Sequence, residues 1–312
     1  LEDIFAGGAR NQTSRVWLQQ PDGRFLTSSQ PALQADSSFE DADAVWADAN
    51  KDGYADLLVA SGGNEFFGKD EHLLPRLYLN DGKGNLTRKM DAFAGLYATW
   101  GAIAAQDING DGAVDLFIGG RAVPFAYGVI PPSYLLLNDG TGKFLDATAK
   151  LAPELGKHGF VTGATWDDLD KDGKKDLLVS LEWGSLLWYK NKGGTFEQKE
   201  ITNRKGWWQF MLPTDVNGDG HTDIIAGNLG LNSRLKASEN EPVRMYVKDL
   251  DNNDITEQII TYYLDGREIP FANKDELIKQ LPVLKKQYLY AGDFAKANLN
   301  ELFGKEKLAE AD

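Results

Sequence analysis

The nine residues Asp107-Ile-Asn109-Gly-Asp111-Gly112-Ala113-Val-Asp115 decide the fold, because the same pattern occurs at three other places in the chain. The glycines at its sixth position lie 59, 61 and 47 residues apart along the sequence. We call these segments the first to fourth acidic loops: 48–56, 107–115, 168–176 and 215–223. Each is followed at once by a short apolar run of the kind that forms strands, so each loop is predicted to open into a β-strand.

A second element recurs downstream of each predicted strand. It is an alternating or apolar run that ends in a polar Gly, Asn or Asp turn, and Asp-Gly is the strongest short-range hairpin signal. Its copies are residues 77–84, 135–142, 187–194 and 245–249, with a further copy at 16–23. A repeat of about 50 to 60 residues that holds about four strands suits a propeller blade. We therefore predict an all-β fold, a β-propeller of four-stranded blades, of which the chain represents about five.

The two ends of the chain differ from its middle. Asp3 aligns with Asp115, which predicts that the sequence begins inside a blade. From Asn273 onward, the apolar residues of 274–281 and 299–303 have helical spacing. We predict propeller blades over residues 1–262. Over 263–312 we predict a short helical segment, either an insertion that leads to a closing blade or a small cap.

The residue types of the acidic loops predict calcium sites. Carboxylates or amides at positions 1, 3, 5 and 9, and a backbone carbonyl at position 7, bring hard oxygen ligands to one point, and Gly at position 6 permits the sharp turn. Four Ca²⁺ sites are predicted. Their candidate ligands are Asp48, Asn50, Asp52, Tyr54 and Asp56; Asp107, Asn109, Asp111, Ala113 and Asp115; Asp168, Asp170, Asp172, Lys174 and Asp176; Asp215, Asn217, Asp219, His221 and Asp223.

A fifth acidic loop, residues 249–257, departs from the pattern. It has Asp254 where glycine is expected and Glu257 in place of the closing Asp. Asp tolerates the left-handed conformation better than most residues, so the turn remains open to this sequence. Whether this loop binds calcium is left open. Its candidate ligands are Asp249, Asp251, Asn253 and Glu257.

The spacing also resembles the start of an EF-hand, which needs a bidentate Glu at position 12 between two helices. Counted from the first Asp of each loop, position 12 is Val59, Ile118, Val179 and Ala226. All four residues are apolar and lie in predicted strands. EF-hand loops are therefore excluded.

These residues resemble a known family. Strands such as Asp115-Leu-Phe-Ile-Gly-Gly120 after acidic loops are similar to the FG-GAP or VCBS repeats of integrin α-chain propellers. Residues 119–124 and 131–140 further resemble bacterial repeat proteins related to cartilage acidic protein. The resemblance covers about residues 1–262 and implies a Ca²⁺-stabilised propeller, normally seven-bladed, on a secreted or surface-attached protein. It does not supply a ligand, because propellers of this family serve adhesion, glycan binding and scaffolding alike.

Composition and charge exclude several functions. The formal net charge of −14 disfavours nucleic-acid binding. No apolar run approaches the roughly 18 to 20 residues of a spanning helix, so no membrane insertion is predicted. The chain has no cysteine, and its three histidines lie far apart without a recognisable nucleophile motif. Nearly all of the paired carboxylates that could serve as a glycosidase acid and base fall in the acidic loops, where ligation accounts for them. We therefore predict no catalytic site.

Function is predicted to reside in two long loops, residues 62–76 and 119–132, because propeller function usually resides in the loops between strands and these loops vary in length in this chain. Candidate ligand-binding residues are Arg121, Phe125, Tyr127, Trp207 and Trp208. Exposed aromatic and Arg side chains suit sugar stacking or protein contacts, although the same residues could instead pack over the blade edges. The prediction is a non-catalytic recognition or adhesion module that binds a glycan or a protein, located at an extracellular, cell-surface or periplasmic site. The alternative is an accessory propeller of a polysaccharide-degrading enzyme.

Overall fold

The structure is a computed structural model that describes residues 3–230 and 232–311. The chain forms two compact units. The first comprises residues 1–125 and 130–229, and the second comprises residues 126–129 and 230–312. Within the described residues, no helix has the length and apolar content needed to cross a membrane.

The first unit consists of successive antiparallel sheets in which each strand pairs with the next strand along the chain. The first sheet contains β1 Ile4–Ala6, β2 Arg15–Gln19 and β3 Phe25–Ser28. The second contains β4 Asp41–Ala47, β5 Asp56–Ser61, β6 Arg76–Asn80 and β7 Leu86–Lys89. The third contains β8 Thr99–Gln106, β9 Asp115–Ala122, β10 Tyr134–Asn138 and β11 Phe144–Asp146.

The fourth sheet contains β12 Val161–Asp167, β13 Asp176–Gly184, β14 Leu186–Asn191 and β15 Phe196–Glu200. The hairpin of β16 Gly206–Thr214 and β17 Asp223–Asn228 follows it and joins it where Glu182 of β13 pairs with Trp207. Two short helices, α1 Pro31–Ala35 and α2 Thr148–Leu151, lie in connections between strands. The predicted strands that follow the acidic loops are all present.

Alternate side chains of one strand enter different hydrophobic cores, which shows how the sheets are stacked. In β5, Leu57 shares a core with Val16 of the first sheet, whereas Leu58 shares a core with Ile118 of the third. Strand β9 divides its side chains in the same way between the second and the fourth sheets. Both faces of these strands are therefore buried, and successive sheets pack face to face as propeller blades do.

The second unit has its own sheet and its own core. Strands β18 Arg244–Lys248, β19 Glu257–Leu264 and β20 Arg267–Pro270 form an antiparallel sheet. Five short helices follow: α3 Lys274–Gln280, α4 Val283–Gln287, α5 Ala291–Lys296, α6 Leu299–Phe303 and α7 Lys305–Ala309. Capping boxes at Asn273 and Asn298 start α3 and α6. Leu250 of the fifth acidic loop packs into the core of these helices.

One strand assignment from the sequence was wrong. The run 245–249 is predicted as a copy of the hairpin element, but β18 pairs with β19 across the fifth acidic loop. It therefore takes the place that β4, β8, β12 and β16 take before their loops. Both kinds of strand are apolar runs that end at an Asp, so only the pairing distinguishes them.

The all-β fold with four-stranded sheets and short C-terminal helices is confirmed. The number of blades, the size of the ring and the domain boundary after residue 262 stay predictions. The division into compact units falls near residue 230 and places β18, β19 and β20 in the second unit.

Candidate metal centre

The five acidic loops have the same internal geometry. In each, the carboxylate at position 1 accepts a hydrogen bond from the backbone N–H at position 6. The distances are 2.9 Å for Asp48, 2.8 Å for Asp107, 2.8 Å for Asp168, 2.8 Å for Asp215 and 2.9 Å for Asp249. The side chain at position 5 likewise accepts the N–H at position 7 in every loop. The backbone of each turn is thus hydrogen-bonded to the side chains of its own loop.

The fifth acidic loop keeps this turn although it lacks the glycine. The glycines at position 6 have φ between 79° and 89°, and Asp254 adopts 63° in the fifth loop. This left-handed conformation is the one that glycine adopts freely and that Asp tolerates. The departure noted in the sequence therefore leaves the loop geometry intact.

The residue at position 9 ties the first and second loops to their sheets. Asp56 accepts N–H groups from Ala49 in the loop at 2.9 Å and from Asn80 of β6 at 2.8 Å. Asp115 does the same with Ile108 at 3.1 Å and Asn138 at 2.9 Å. Both carboxylates are fully buried. The charged form is therefore held in place by backbone dipoles in a region that water does not reach.

Burial raises the pKa of these position 9 carboxyl groups, because it penalises their charged form. The pKa of Asp115 rises to about 6. For Asp56, Asp176 and Glu257 burial likewise raises the pKa above its ordinary value. A bound cation would offset this penalty.

We expect the metal-free protein to become more stable as the pH is lowered from 7.5 to about 5.5. A carboxyl group whose folded pKa is raised contributes stability below its unfolded pKa, and that stability is lost as the pH rises through the folded pKa, which is about 6 for Asp115. Several exposed loop carboxyls, Asp172 and Asp215 among them, have lowered pKa values and lose their contribution only at more acidic pH.

The measurement is the unfolding temperature of chelator-dialysed protein across this pH range, where a rise of about 2–5 °C is expected. The calcium-loaded protein is the control and should show the opposite trend, because protons compete with the metal for carboxylates. A flat or falling unfolding temperature in the metal-free protein would contradict this account.

The loops differ at positions 3 and 5. In the first, second and fourth loops the Asn amide at position 3 donates to the carboxylate at position 5, at 2.8 Å in Asn50–Asp52, 2.8 Å in Asn109–Asp111 and 3.0 Å in Asn217–Asp219. The third and fifth loops have Asp at position 3. In these two loops three acidic groups offer ligand oxygens within 4.8 Å of one another: Asp168, Asp170 and Asp172, and Asp249, Asp251 and Glu257.

The fifth acidic loop meets a direct test of fit for a cation. Within the described part of the chain, Oδ1 of Asp251 and Oε1 of Glu257 are buried and have no hydrogen-bond partner. Glu257 is only 3% exposed. Leaving a buried carboxylate oxygen unpaired is costly, and Ca²⁺ prefers such oxygens as ligands. The donor set of this loop therefore fits Ca²⁺.

The residues at position 7 contribute to the hydrogen bonds of the loops through their main chain. The N–H groups of Tyr54, Ala113, Lys174 and His221 donate to the position 5 carboxylates. The side chain of His221 is exposed. Their role as carbonyl ligands stays a prediction.

Each strand that leaves an acidic loop ends at the opposite end of its sheet. This end carries aromatic side chains. We call it the aromatic end and define it by Phe67, Phe125, Trp183 and Trp207. Phe67 and Phe125 are 71% and 63% exposed, and their rings meet edge to face with centroids 5.9 Å apart. Trp183 and Trp207 meet in the same manner at 4.9 Å.

The candidate binding residues fall into different environments. Arg121 forms an ion pair with Glu182 at 2.5 Å at the aromatic end. Trp208 is half-buried and packs beside a core that contains Leu178 and Met211. Tyr127 is half-buried in the second unit. Their roles in binding stay predictions.

The loop that carries Phe67 is held by contacts that the sequence did not indicate. His72 Nδ1 lies 2.7 Å from Asp70, and its Nε2 lies 3.0 Å from the Ser38 hydroxyl. The ring of His72 also stacks on Phe66 at 4.0 Å. These contacts anchor residues 66–72, so Phe67 is presented from a fixed loop.

One further residue near the acidic loops, Lys190, was not identified from the sequence. Lys190 of β14 forms ion pairs with Asp170 and Asp172 of the third loop. Alignment of the hairpin strands would have shown it, because Leu79 and Leu137 precede the equivalent asparagines in the other sheets.

Comparison with known proteins identifies the repeat. Residues 1–59 and 168–226 match the model of the FG-GAP-like repeat family. The predicted FG-GAP-like repeats are therefore confirmed, and these two regions include the first, third and fourth acidic loops. The comparison with curated proteins gives no match.

Two solved structures show low similarity. The V. cholerae biofilm matrix protein Bap1 has 18% identity, a TM-score of 0.36 and coverage of 70% of this chain and 34% of its own. The Dos1 propeller has 6% identity, a TM-score of 0.36 and coverage of 67% of this chain and 59% of its own. The chain thus spans about a third of the length of Bap1 and less than two thirds of the Dos1 propeller chain. TM-scores of this size indicate neither a shared fold nor a shared function.

Proposed function

We propose that the protein is a calcium-stabilised, non-catalytic recognition or adhesion module that binds a glycan or protein ligand through its aromatic end. In this proposal the stacked sheets are blades of a propeller and belong to a seven-bladed ring. The observation that carries the binding proposal is the contact between Phe67 and Phe125, two side chains that remain largely exposed although they touch each other.

Exposed aromatic rings bind a ligand at a lower entropic cost when they are already in place. The backbone N–H of Phe125 donates to Oδ1 of Asn64 at 3.0 Å, which joins the two loops that carry the rings. The guanidinium of Arg10 lies 5.0 Å above the ring of Phe66, next to Phe67. Little side-chain freedom is lost on binding to a surface that is already ordered. Aromatic faces of this kind suit sugar rings and apolar groups of proteins.

Calcium has a structural role in this proposal. The acidic side chains at positions 1, 3, 5 and 9 of the loops would hold it, and bound Ca²⁺ supplies positive charge that offsets their mutual repulsion. Extracellular modules of this kind bind Ca²⁺ with dissociation constants of roughly 10⁻⁴ to 10⁻³ M, which extracellular calcium fills and resting cytosolic calcium does not. This supports a location outside the cytoplasm. Four loops follow the full pattern, and the donor set of the fifth supports calcium there as well.

The test is a glycan-array screen of the protein in millimolar calcium, followed by affinity measurements on Phe67→Ala and Phe125→Ala. Each substitution is expected to weaken binding at least about ten-fold, because truncation of a central aromatic side chain commonly has an effect of this size. Leu145→Ala is the matched control, since Leu145 is 61% exposed on the outer strand of the third sheet. It should bind as the wild type does.

The outcomes separate the alternatives. Full affinity in both Phe variants would mean that the aromatic end is not the binding surface. Absence of glycan binding by folded protein would favour a protein ligand, to be sought with the same variants. Turnover of a polysaccharide by this chain alone would overturn the non-catalytic proposal and favour a role in a polysaccharide-degrading enzyme.

A further inference from the structure

One hydrogen bond defines equivalent residues in three of the sheets. The backbone N–H groups of Asn80, Asn138 and Asn191 donate to Oδ1 of the position 9 carboxylate of their own sheet, at 2.8, 2.9 and 2.8 Å. The residue before each asparagine therefore occupies the same place beside its acidic loop. These residues are Leu79, Leu137 and Lys190. Only the third of these loops therefore has an ammonium group at this place.

The ammonium group of Lys190 lies among the carboxylates of the third acidic loop. Its Nζ is paired with Oδ2 of Asp170 and lies 3.8 Å from Oδ2 of Asp172. The Lys190 side chain is only 18% exposed, so its charge is directed into the loop and not into solvent. A positive charge is thus part of this loop.

The carboxylates of the third loop repel one another more strongly than those of the first, second and fourth loops, so a positive charge stabilises this loop more. The first, second and fourth loops have Asn at position 3, and its amide donates to the carboxylate at position 5. In the third loop Asp170 replaces this Asn, so two carboxylates adjoin and no amide separates them. Adjoining like charges repel each other, and an ammonium group between them removes this repulsion.

The fifth loop also has an Asp at position 3, but in the part of the chain that the structure describes this carboxylate is not compensated by a lysine in the way that Asp170 is. The buried Oδ1 of Asp251 has no hydrogen-bond partner among the described residues. Lys190 itself pairs with Asp170 and Asp172, the outer carboxylates of the third loop. The third loop is thus partly compensated by its own lysine, whereas the buried oxygens of Asp251 and Glu257 in the fifth have no partner among the described residues.

We propose that Lys190 is a built-in counter-ion of the third acidic loop, which holds this loop without calcium and weakens its affinity for Ca²⁺. The inference rests on the proposed calcium binding of the acidic loops. Calcium can enter the third loop only if the ammonium group leaves or if both positive charges share the site, and each alternative is unfavourable. The loops therefore fill unequally, with the third loop last.

The test uses the full chain, freed of metal, and the substitution Lys190→Met. This change removes the charge and keeps a flexible apolar stem of similar length. Isothermal titration with Ca²⁺ is expected to show one site that binds at least about ten-fold more tightly than in the wild type. Without calcium, the unfolding temperature of the variant should fall, because Asp170 loses its ion-pair partner, while Asp172 keeps its contact with Lys174 at 3.2 Å.

Lys157→Met is the matched control. Its ammonium group pairs with Glu154 at 2.6 Å, away from the acidic loops, and its side chain is 67% exposed. It should leave both the calcium titration and the metal-free unfolding temperature unchanged. Should Lys190→Met fail to fold without metal, the double variant Lys190→Leu with Asp170→Asn gives the third loop the pattern of the first, and its calcium affinity should match the other loops.

The results distinguish this inference from the calcium proposal itself. If the wild type and both variants bind no Ca²⁺, calcium binding by the acidic loops is wrong. If the wild type binds Ca²⁺ and Lys190→Met titrates identically to it, the counter-ion role of Lys190 is wrong. A tighter site in Lys190→Met that disappears on adding Asp168→Ala assigns the effect to the third loop.

Discussion

Removal of calcium is expected to lower the unfolding temperature of the protein by at least about 10 °C. A ligand that binds only the folded state stabilises it by about 1.4 kcal/mol per site at about ten times its dissociation constant, the ratio that about 1 mM calcium reaches for a dissociation constant of about 10⁻⁴ M. Each kcal/mol shifts the unfolding temperature by about 2–4 °C in a domain of 150–250 residues. Several acidic loops act together, and each brings at least three acidic side chains into one turn.

The measurement compares the thermal unfolding of the protein in excess chelator with that in millimolar calcium. Restoring calcium in excess over the chelator should return the original curve, which excludes an irreversible effect of the chelator. Magnesium is the second control, because it demands a near-ideal octahedral site and gives up its water reluctantly. An unfolding temperature that does not change in excess chelator would contradict a structural role for calcium.

The substitution Arg76→Met is expected to lower the free energy of unfolding by about 3–5 kcal/mol, as found when one partner of a buried ion pair is removed. The guanidinium of Arg76 pairs with Asp41, and the two side chains are 2% and 3% exposed. Asp41 also accepts the backbone N–H of Gly8 at 2.8 Å and the hydroxyl of Ser14. The variant would leave this carboxylate charged and buried where the first two sheets meet.

The measurement is urea unfolding at a fixed, saturating calcium concentration, so that metal binding contributes equally to all variants. Arg24→Met is the matched control, because Arg24 pairs with Asp22 on the surface and its side chain is 78% exposed; it should have no measurable effect. Adding Asp41→Asn to Arg76→Met should recover part of the loss, since the unpaired charge is then gone. Equal stability of Arg76→Met and the wild type would show that the buried pair does not stabilise the folded state.

The acidic loops were predictable because their structure is local. The nine-residue turn is built from hydrogen bonds such as that between Asp48 and the N–H of Gly53, five residues apart. The capped helices after Asn273 were predictable for the same reason. Asp254 was ambiguous in the sequence because both glycine and Asp can adopt its conformation. Strand β18 was misassigned because its partner lies across a loop and the pattern of a strand does not identify its partner.

The sequence by itself determined the repeat, the turn of each acidic loop and the set of oxygen donors, since each depends on residues within one short segment. The tertiary structure alone decided the charge balance of the third loop, because Lys190 reaches Asp170 from another strand. It also decided the pair of Asp41 with Arg76 and the contact of Phe67 with Phe125. Asp41 and Arg76, like Asp170 and Lys190, belong to one sheet and meet through the pairing of its strands, whereas Phe67 and Phe125 meet because neighbouring sheets pack against each other.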